Sequence, residues 1–250
     1  MKKQPLLISA LAAASLFSSS LLAAEANTIC QAKSYEMALR YQQQSAEIAA
    51  LQLQTYHFAE QRLATIIEKS KAPQKLAVVM DLDETVLDNS PLLVRDMQNC
   101  HDYTSWDTWS DWEIKGNPKL IPGAKEFTQY ANQQGVAIFY VSDRYNENKA
   151  YTLKTLSSLG LPQVKEDHVL LYGTSKEERR NSISKHHKIV MLMGDSLPDV
   201  SAQFKNKKDT QYNRDLVEKS RQHFGEDWIV FPNASYGAWT KAPLTAWQEK

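Results

Sequence analysis

Polar residues suited to catalysis stand within a few residues of the ends of three short apolar runs of the sequence. The runs cover residues 76–80, 136–141 and 189–193, and the polar residues that follow them are Asp81 and Asp83, Ser142 and Arg144, and Asp195 and Asp199. Carboxylates can bind a divalent cation, attack an electrophile or transfer a proton, and a serine and an arginine can hold an anion. A hydrophobic core needs none of these residues, so the pattern indicates a functional site.

Lys176 gives an independent indication of an anion site. Ser175 and Glu178 form a capping-box pattern, which predicts that Lys176 is the first residue of a helix. A cation at that position opposes the helix dipole, so its presence suggests an anion held between the lysine and the helix N-terminus. The alternative is a solvated surface lysine.

A phosphate ester fits this set of residues. It is a dianion, so an anionic nucleophile needs a cation nearby, and Mg²⁺ prefers one or two carboxylates together with water and phosphate oxygens. Asp81 and Asp195 suit those carboxylates, and Asp81 is also the candidate nucleophile that forms an aspartyl-phosphate. Asp83 can protonate the leaving oxygen and then take a proton from water. Ser142 and Lys176 can hold the phosphoryl oxygens.

The elements that position these residues read as an α/β domain with a parallel sheet. The apolar runs are continuous rather than alternating, which is typical of strands buried on both faces. Strands are predicted at residues 76–80, 136–141, 169–172, 189–193 and 228–231, and helices between them at 123–134, 146–159 and 175–187. The carboxyl ends of parallel strands meet at one edge, where open α/β folds bind ligands.

The N-terminal part of the chain predicts export. Lys2 and Lys3 precede an apolar stretch that ends in a small-residue cleavage pattern, so residues 1–26 are interpreted as a signal peptide, and no stable membrane anchor is expected. Residues 27–72 are predicted to form a helical segment that packs on the core domain, residues 73–250. Its predicted buried stripe comprises Met37, Tyr41, Ile48, Leu51, Phe58 and Ile66.

Charge and cysteine content exclude some functions. The chain has 29 Lys+Arg and 29 Asp+Glu residues, so it lacks the basic surface of a protein that binds a nucleic-acid polymer. Its two cysteines, Cys30 and Cys100, are too few for a cysteine metal site. After export they can form one disulfide.

The motifs together resemble those of a known family. Residues 81–90, with Ser142, Lys176 and the pair Asp195 and Asp199, resemble the four motifs of the haloacid dehalogenase (HAD) superfamily. More closely, the chain is similar to the bacterial class C acid phosphatases, an outer-membrane lipoprotein type with 5′-nucleotidase activity, and residues 231–239 resemble their C-terminal signature. The resemblance implies a HAD-like sheet and Mg²⁺-dependent hydrolysis of phosphomonoesters.

The resemblance also implies residue roles. Asp81 would be nucleophile and metal ligand, Asp83 would be acid/base with its backbone carbonyl on the metal, and Asp195 would be the further ligand. Asp199 would orient Lys176 or a metal-bound water.

Aromatic residues clamp the ring of the substrate in that family. A small insert, residues 92–121, is rich in tryptophan and reads as a cap over the site. The candidate substrate-binding residues are therefore Trp106, Trp109, Trp112 and Tyr236, in addition to Ser142, Arg144 and Lys176. Nucleoside monophosphates and aryl phosphates are the expected substrates. The alternative for the tryptophans is a small structural core under the cap.

The sequence departs from the family pattern at two places. Ile29 before Cys30 is a poor fit to a lipidation site, so the mature protein is expected to be soluble in the periplasm or outside the cell. Asp143 stands where many relatives have asparagine, which places an extra carboxylate near the site.

The sequence is also compatible with three other functions: a phosphotransferase of the same superfamily, a class B acid phosphatase, and a non-catalytic binding or storage protein on this fold. Class B members typically read Asp-Asp-Thr in the first motif, where Glu84 stands here. A homodimer is also left open.

Overall fold

The computed structural model describes residues 30–70, 75–205, 209–240 and 242–248 of the chain, so the predicted signal peptide lies outside the described residues. The strands are β1 (Leu76–Met80), β2 (Leu87–Asp88), β3 (Lys119–Leu120), β4 (Ala137–Val141), β5 (Val169–Leu170), β6 (Lys188–Gly194) and β7 (Trp228–Val230). The α-helices are α1 (Glu36–Gln44), α2 (Ala46–Lys69), α3 (Ser90–Gln98), α4 (Trp109–Lys115), α5 (Ala124–Gln133), α6 (Lys149–Ser158), α7 (Lys176–Ser184) and α8 (Thr210–Lys219).

Five strands form one parallel sheet in the order β5-β4-β1-β6-β7. β1 lies at the centre with every residue buried, and its Val79 lies opposite Phe139 on β4 and Leu192 on β6. Apolar side chains fill both faces, as continuous apolar runs predict. The predicted α/β fold with a parallel sheet is confirmed. The C-terminal ends of β1, β4 and β6 lie side by side along one edge.

The strand boundaries match the sequence prediction best at the centre of the sheet. β1 has the predicted bounds, whereas β5 contains only Val169–Leu170 of the predicted run 169–172. The chain leaves the sheet there, because the backbone N–H of Tyr172 donates to the carbonyl of Arg144 at 2.9 Å. This bond joins the end of β5 to the loop that follows β4.

Helices α5, α6 and α7 lie where helices were predicted. α6 begins at Lys149, three residues later than predicted, because Asn146–Asn148 form a 3₁₀ turn. It ends before Gly160, whose φ of 75° lies in the left-handed region that glycine adopts without a Cβ penalty. Helix α7 begins at Lys176 with Ser175 and Glu178 in a complete capping box, which confirms that prediction.

The N-terminal segment forms two helices, and most of its predicted buried stripe is wrong. Ser45 interrupts the segment and caps α2 by accepting a hydrogen bond from the N–H of Ile48. Met37, Tyr41, Leu51 and Phe58 are exposed, and the residues that pack inward are Leu39, Gln42, Ile48, Gln52, Tyr56, Ala59 and Leu63. Packing against the rest of the protein explains which residues are buried. Small Ala59 allows close packing, and the Tyr56 hydroxyl donates to the Thr85 carbonyl at 2.7 Å.

The tryptophan-rich insert has a core of its own. It contains most of α3, a 3₁₀ turn at Tyr103–Ser105, α4 and β3, which pairs antiparallel with β2 of the first motif. Its buried cluster includes one residue of α1, and the members are Leu39, Leu92, Leu93, Met97, Tyr103 and Trp109. Cys30 and Cys100 lie with their Cα atoms 5.4 Å apart, within reach of a disulfide. None of the described helices is both long and apolar enough to span a membrane.

Candidate active site

The C-terminal edge of the sheet brings the predicted residues together. Asp81 follows β1, Ser142 follows β4 and Asp195 follows β6 directly. The backbone N–H of Asp81 donates to the carbonyl of Met193 at 2.8 Å, which continues the pairing of β1 with β6 to the last residue before the loop. Neighbouring parallel strands therefore fix the backbones of Asp81 and Asp195 beside each other.

Three carboxylates form one side of the site, which we call the aspartate cluster: Asp81, Asp195 and Asp199. One oxygen from each lies within 4.8 Å of the others. The ammonium of Lys176 donates to Oδ1 of Asp81 and to Oδ1 of Asp199, both at 2.6 Å. Lys176 is buried, which excludes the solvated surface lysine. Asp81 and Asp199 thus share this lysine, and Asp195 completes the cluster beside them.

Burial and mutual repulsion shift the pKa values of this cluster. Burial raises the pKa of Asp81 well above its usual range, Lys176 opposes that rise, and Asp199 and Asp195 add to it. Burial and the Asp199 charge likewise raise the pKa of Asp195, although Asn233 donates to its carboxylate at 2.7 Å. Burial alone would lower the pKa of Lys176, but Asp199 and Asp81 raise it above its usual value. The cluster has more negative charge than Lys176 can balance.

The donor set of the cluster fits a hard divalent cation. All three side chains offer oxygen, which Mg²⁺ and Ca²⁺ prefer, and the excess negative charge would attract a cation. The predicted ligands Asp81 and Asp195 both belong to the cluster. Asp199, predicted to orient Lys176, bonds that lysine directly and is the third carboxylate.

Asp83 lies on the other side of the site, and its carboxylate is balanced by an arginine. Its Oδ1 accepts from Nε and Nη2 of Arg144 at 2.9 and 2.8 Å and from Nδ2 of Asn89 at 2.9 Å. Its Oδ2 accepts from the Ser142 hydroxyl at 3.1 Å. Arg144, predicted to bind substrate, is buried, and its Nε and Nη2 bond Asp83 and Asn89.

Asp143 has a partner outside the site. Its carboxylate pairs with Arg179 of α7, and its side chain is 61% exposed. Arg179 also donates to the carbonyl of Ser142 at 2.5 Å. The extra carboxylate that the sequence places beside Ser142 is therefore neutralised by a cation of α7, and the same cation supports the loop that carries Ser142.

The four candidate aromatic residues occupy different environments. Trp106 is 42% exposed, whereas Trp109 is buried. Tyr236 meets both edge-on, with centroid distances of 5.2 Å to Trp106 and 6.1 Å to Trp109. Trp112 donates its indole N–H to Oδ1 of Asn89 at 2.8 Å. Trp106 is thus the tryptophan of this group with the most open ring.

Sequence reasoning assigned no role to Glu84 and Asn89, although both belong to the first motif. Glu84 is buried with φ of 54°, and its carboxylate accepts from the Tyr236 hydroxyl and from the N–H of Asn89. Burial, reinforced by the Asp83 charge, raises the pKa of Glu84 to about 8. The signal for both residues was their place one and six residues after Asp83, but side-chain partners are not visible in a sequence.

Comparison with known proteins identifies the family. Residues 3–239 match the sequence model of the HAD superfamily, subfamily IIIB (acid phosphatase). A class B acid phosphatase from Morganella morganii is 27% identical over 214 residues, which cover 81% of this chain and 84% of that protein. The class C acid phosphatase from Bacillus anthracis is 34% identical, with a TM-score of 0.79 over 84% of this chain and 88% of that chain. That structure was also solved with tungstate bound.

The chain belongs to the subfamily IIIB acid phosphatases of the HAD superfamily, and it is a phosphomonoesterase. Its identity to the class C structure, 34%, exceeds its identity to the class B protein, 27%. The family and the enzyme class predicted from the motifs are confirmed. The superfamily depends on metal, and the aspartate cluster could hold a metal ion.

Proposed function

We propose that this acid phosphatase is magnesium-dependent and works through an aspartyl-phosphate on Asp81. The observation that carries the proposal is the aspartate cluster: three carboxylates close together at the C-terminal edge of the sheet, two of them hydrogen-bonded to one buried lysine. Asp81 and Asp195, together with the backbone carbonyl of Asp83, would hold Mg²⁺. When bound, the ion would reduce the repulsion between the Asp81 carboxylate and the substrate dianion.

In the first half-reaction, Asp81 attacks phosphorus and the ester P–O bond breaks. Asp83 donates a proton to the leaving oxygen, so the alcohol departs neutral. Lys176 and the Ser142 hydroxyl hold the phosphoryl oxygens, where negative charge is concentrated. Both groups lie beside the reacting carboxylates, because Lys176 contacts Asp81 and Ser142 contacts Asp83.

In the second half-reaction, water attacks the phosphorus of the aspartyl-phosphate. Asp83 takes the proton of that water, the acyl P–O bond breaks, and inorganic phosphate and the Asp81 carboxylate are released. Asp83 is thereby returned to its protonated form for the next cycle. The tungstate-bound class C relative supports an oxyanion site of this type, because tungstate is a tetrahedral oxyanion like phosphate.

We propose nucleoside monophosphates and aryl phosphates as the substrates. The support is the open ring of Trp106 beside Tyr236, which offers a flat apolar surface for a base or a phenyl ring. Tyr236 is fixed by its hydrogen bond to Glu84, next to Asp83 in the chain.

We also propose that the protein is exported, loses residues 1–26 and is soluble in the periplasm or outside the cell. In that oxidising space Cys30 and Cys100 would form a disulfide. Their Cα separation of 5.4 Å supports this pairing.

Metal removal tests the magnesium proposal. We expect activity on p-nitrophenyl phosphate to be lost after exhaustive chelation and to return with Mg²⁺. Asp195→Asn should need a higher Mg²⁺ concentration for half-maximal activity. The matched control is Asp167→Asn, whose carboxylate is 72% exposed and should leave the Mg²⁺ requirement unchanged. Full activity in the thoroughly chelated enzyme contradicts the proposal.

A further inference from the structure

Asn89 is a buried amide at the junction between the first motif and the insert. Its side chain is completely buried, and it stands directly before α3. Its Nδ2 donates to Oδ1 of Asp83 at 2.9 Å. Its Oδ1 accepts from Nε1 of Trp112 at 2.8 Å and from Nη2 of Arg144 at 3.1 Å. Asn89 therefore contacts the residue to which we assign proton transfer.

The orientation of this amide is determined by its neighbours. Indole Nε1 and guanidinium Nη2 can only donate hydrogen bonds, so the atom of Asn89 that faces them must be the carbonyl oxygen. The amide nitrogen must then face Asp83, whose ionised carboxylate can only accept. Trp112 and Arg144 together prevent the flipped amide, which would turn the carbonyl oxygen towards the carboxylate of Asp83.

The two oxygens of Asp83 are held unequally as a result. Oδ1 accepts from Asn89 at 2.9 Å and twice from Arg144, at 2.9 and 2.8 Å. Oδ2 accepts from the Ser142 hydroxyl at 3.1 Å and has only a longer contact of 3.3 Å to Nε of Arg144. A proton on Oδ1 would displace a strong donor, so Oδ2, whose contacts are longer, is the oxygen better placed for proton transfer.

Helix α4 fixes the indole that completes this arrangement. Glu113, the residue after Trp112, is buried, and its carboxylate accepts from the backbone N–H of Tyr145 at 3.2 Å and from Nδ2 of Asn148 at 2.8 Å. Tyr145 directly follows Arg144. One helix of the insert therefore contacts the first motif through Trp112 and the segment that follows Arg144 through Glu113.

We propose that Trp112 and Asn89 are positioning residues for Asp83. Trp112 orients the Asn89 amide, and Asn89 holds Oδ1 of Asp83 so that Oδ2 exchanges the proton with the leaving oxygen and with water. The proposal rests on the acid/base role of Asp83 given above. It assigns Trp112 a function in the chemical step instead of the substrate stacking that its sequence position suggested.

Two substrates with the same ring separate these roles. Phenyl phosphate and p-nitrophenyl phosphate both present a phenyl ring, but phenol is the poorer leaving group and needs more assistance from a general acid. Trp112→Phe removes the indole N–H and keeps an aromatic ring. We expect it to lower kcat/KM for phenyl phosphate by about 10-fold, a part of the 10²–10⁴-fold that a general acid contributes. The loss for p-nitrophenyl phosphate should be less than about 2-fold by the same reasoning.

The matched control is Trp228→Phe on β7, outside the site. It should change kcat/KM only slightly, and by the same factor for both substrates. Trp112→Phe in an Asp83→Asn background should produce no further change, because residues that act through one group are not additive. An equal loss on both substrates, or a loss that persists in the Asp83→Asn background, overturns the positioning proposal. If Asp83→Asn itself lowers kcat/KM equally for both substrates, the acid/base role of Asp83 is wrong, and the positioning role of Trp112 and Asn89 fails with it.

Asn89→Asp gives a second measurement on the same contact. It keeps the size of the side chain and replaces the N–H donor that faces Asp83 with an acceptor. The decrease in kcat/KM for phenyl phosphate should therefore be larger than in Trp112→Phe. Thermal unfolding of each variant shows whether the enzyme is folded at the assay temperature. A folded Asn89→Asp enzyme with unchanged leaving-group dependence contradicts the proposal.

Discussion

The two sides of the active site carry the same residue type in opposite electrostatic settings. In the aspartate cluster, Asp81 and Asp199 bond the ammonium of Lys176, and Asp195 lies beside them. On the other side, Asp83 faces the guanidinium of Arg144 and the amide of Asn89. One side has excess negative charge, whereas the other is a balanced ion pair.

The difference assigns different chemistry to the two sides. Buried carboxylates in excess are costly unless a cation joins them, so the aspartate cluster is suited to a metal ion and an anionic nucleophile. A carboxylate that is paired and hydrogen-bonded on one oxygen is suited to moving a proton on the other. Asp81 and Asp83 are two residues apart in sequence, yet the loops after β4 and β6 give them separate partners.

The largest effect is expected from Asp81→Asn. The amide has the same shape as the carboxylate but is a far weaker nucleophile, so kcat on p-nitrophenyl phosphate should fall by about 10⁴-fold or more, the scale seen when a nucleophile is removed. The same substitution removes a ligand, so calorimetric titration should show weaker Mg²⁺ binding. Turnover close to the wild-type rate would exclude a covalent intermediate on Asp81.

Asp83→Asn should slow turnover by around 10²-fold or more, because it removes the group that exchanges protons. Its effect on Mg²⁺ binding should be small, since only the backbone carbonyl of Asp83 is assigned to the metal. Together the two variants test whether the two sides of the site are separate. Weaker Mg²⁺ binding in Asp81→Asn but not in Asp83→Asn supports that separation. Equal loss of Mg²⁺ affinity in both would show that the two sides are not separate.

Trp106→Ala tests whether an aromatic surface extends the site beyond these two sides. Stacking of a base on an aromatic ring contributes about 1–3 kcal/mol, so KM for a nucleoside monophosphate should rise by roughly 5-fold to 150-fold if KM follows binding. KM for ribose 5-phosphate should not change. The control is Trp247→Ala, at a residue that is 82% exposed near the chain end. Equal increases in KM for both substrates would make Trp106 a structural residue.

The smallest effect on catalysis is expected from Cys100→Ser. The proposed disulfide closes a loop across 70 residues, for which the chain-entropy model gives about 4 kcal/mol of stability. Urea unfolding should show that loss, while kcat/KM at a temperature where the variant is folded stays within about 2-fold, because neither side of the site contains a cysteine.

The cysteine and export proposals have direct measurements as well. Thiol titration of the mature protein should find no free cysteine, and mass spectrometry should find an N-terminus after Ala26. Two free thiols would contradict the disulfide. A lipid on Cys30 would contradict the soluble assignment.

Local sequence patterns predicted the parts of the molecule that depend on neighbouring residues. The run at residues 76–80 predicted β1 with its observed bounds, since a short continuous apolar run between turn residues is typical of a strand buried on both faces. The pattern of Ser175 and Glu178 placed Lys176 at the start of α7. The long N-terminal segment was predicted less well. The spacing of its apolar residues was compatible with more than one buried face of the helix. In the structure Ala59 packs against the core, whereas Phe58 is exposed.

The sequence by itself determined which residues reach the active edge, because Asp81, Ser142 and Asp195 each follow a strand of one parallel sheet. Only the tertiary structure decided how they are paired. Asp83 meets Arg144 across 61 residues, and Trp112 meets Asn89 across 23. Hydrogen bonds act over about 3 Å between atoms that the fold brings together, so no spacing along the chain specifies them.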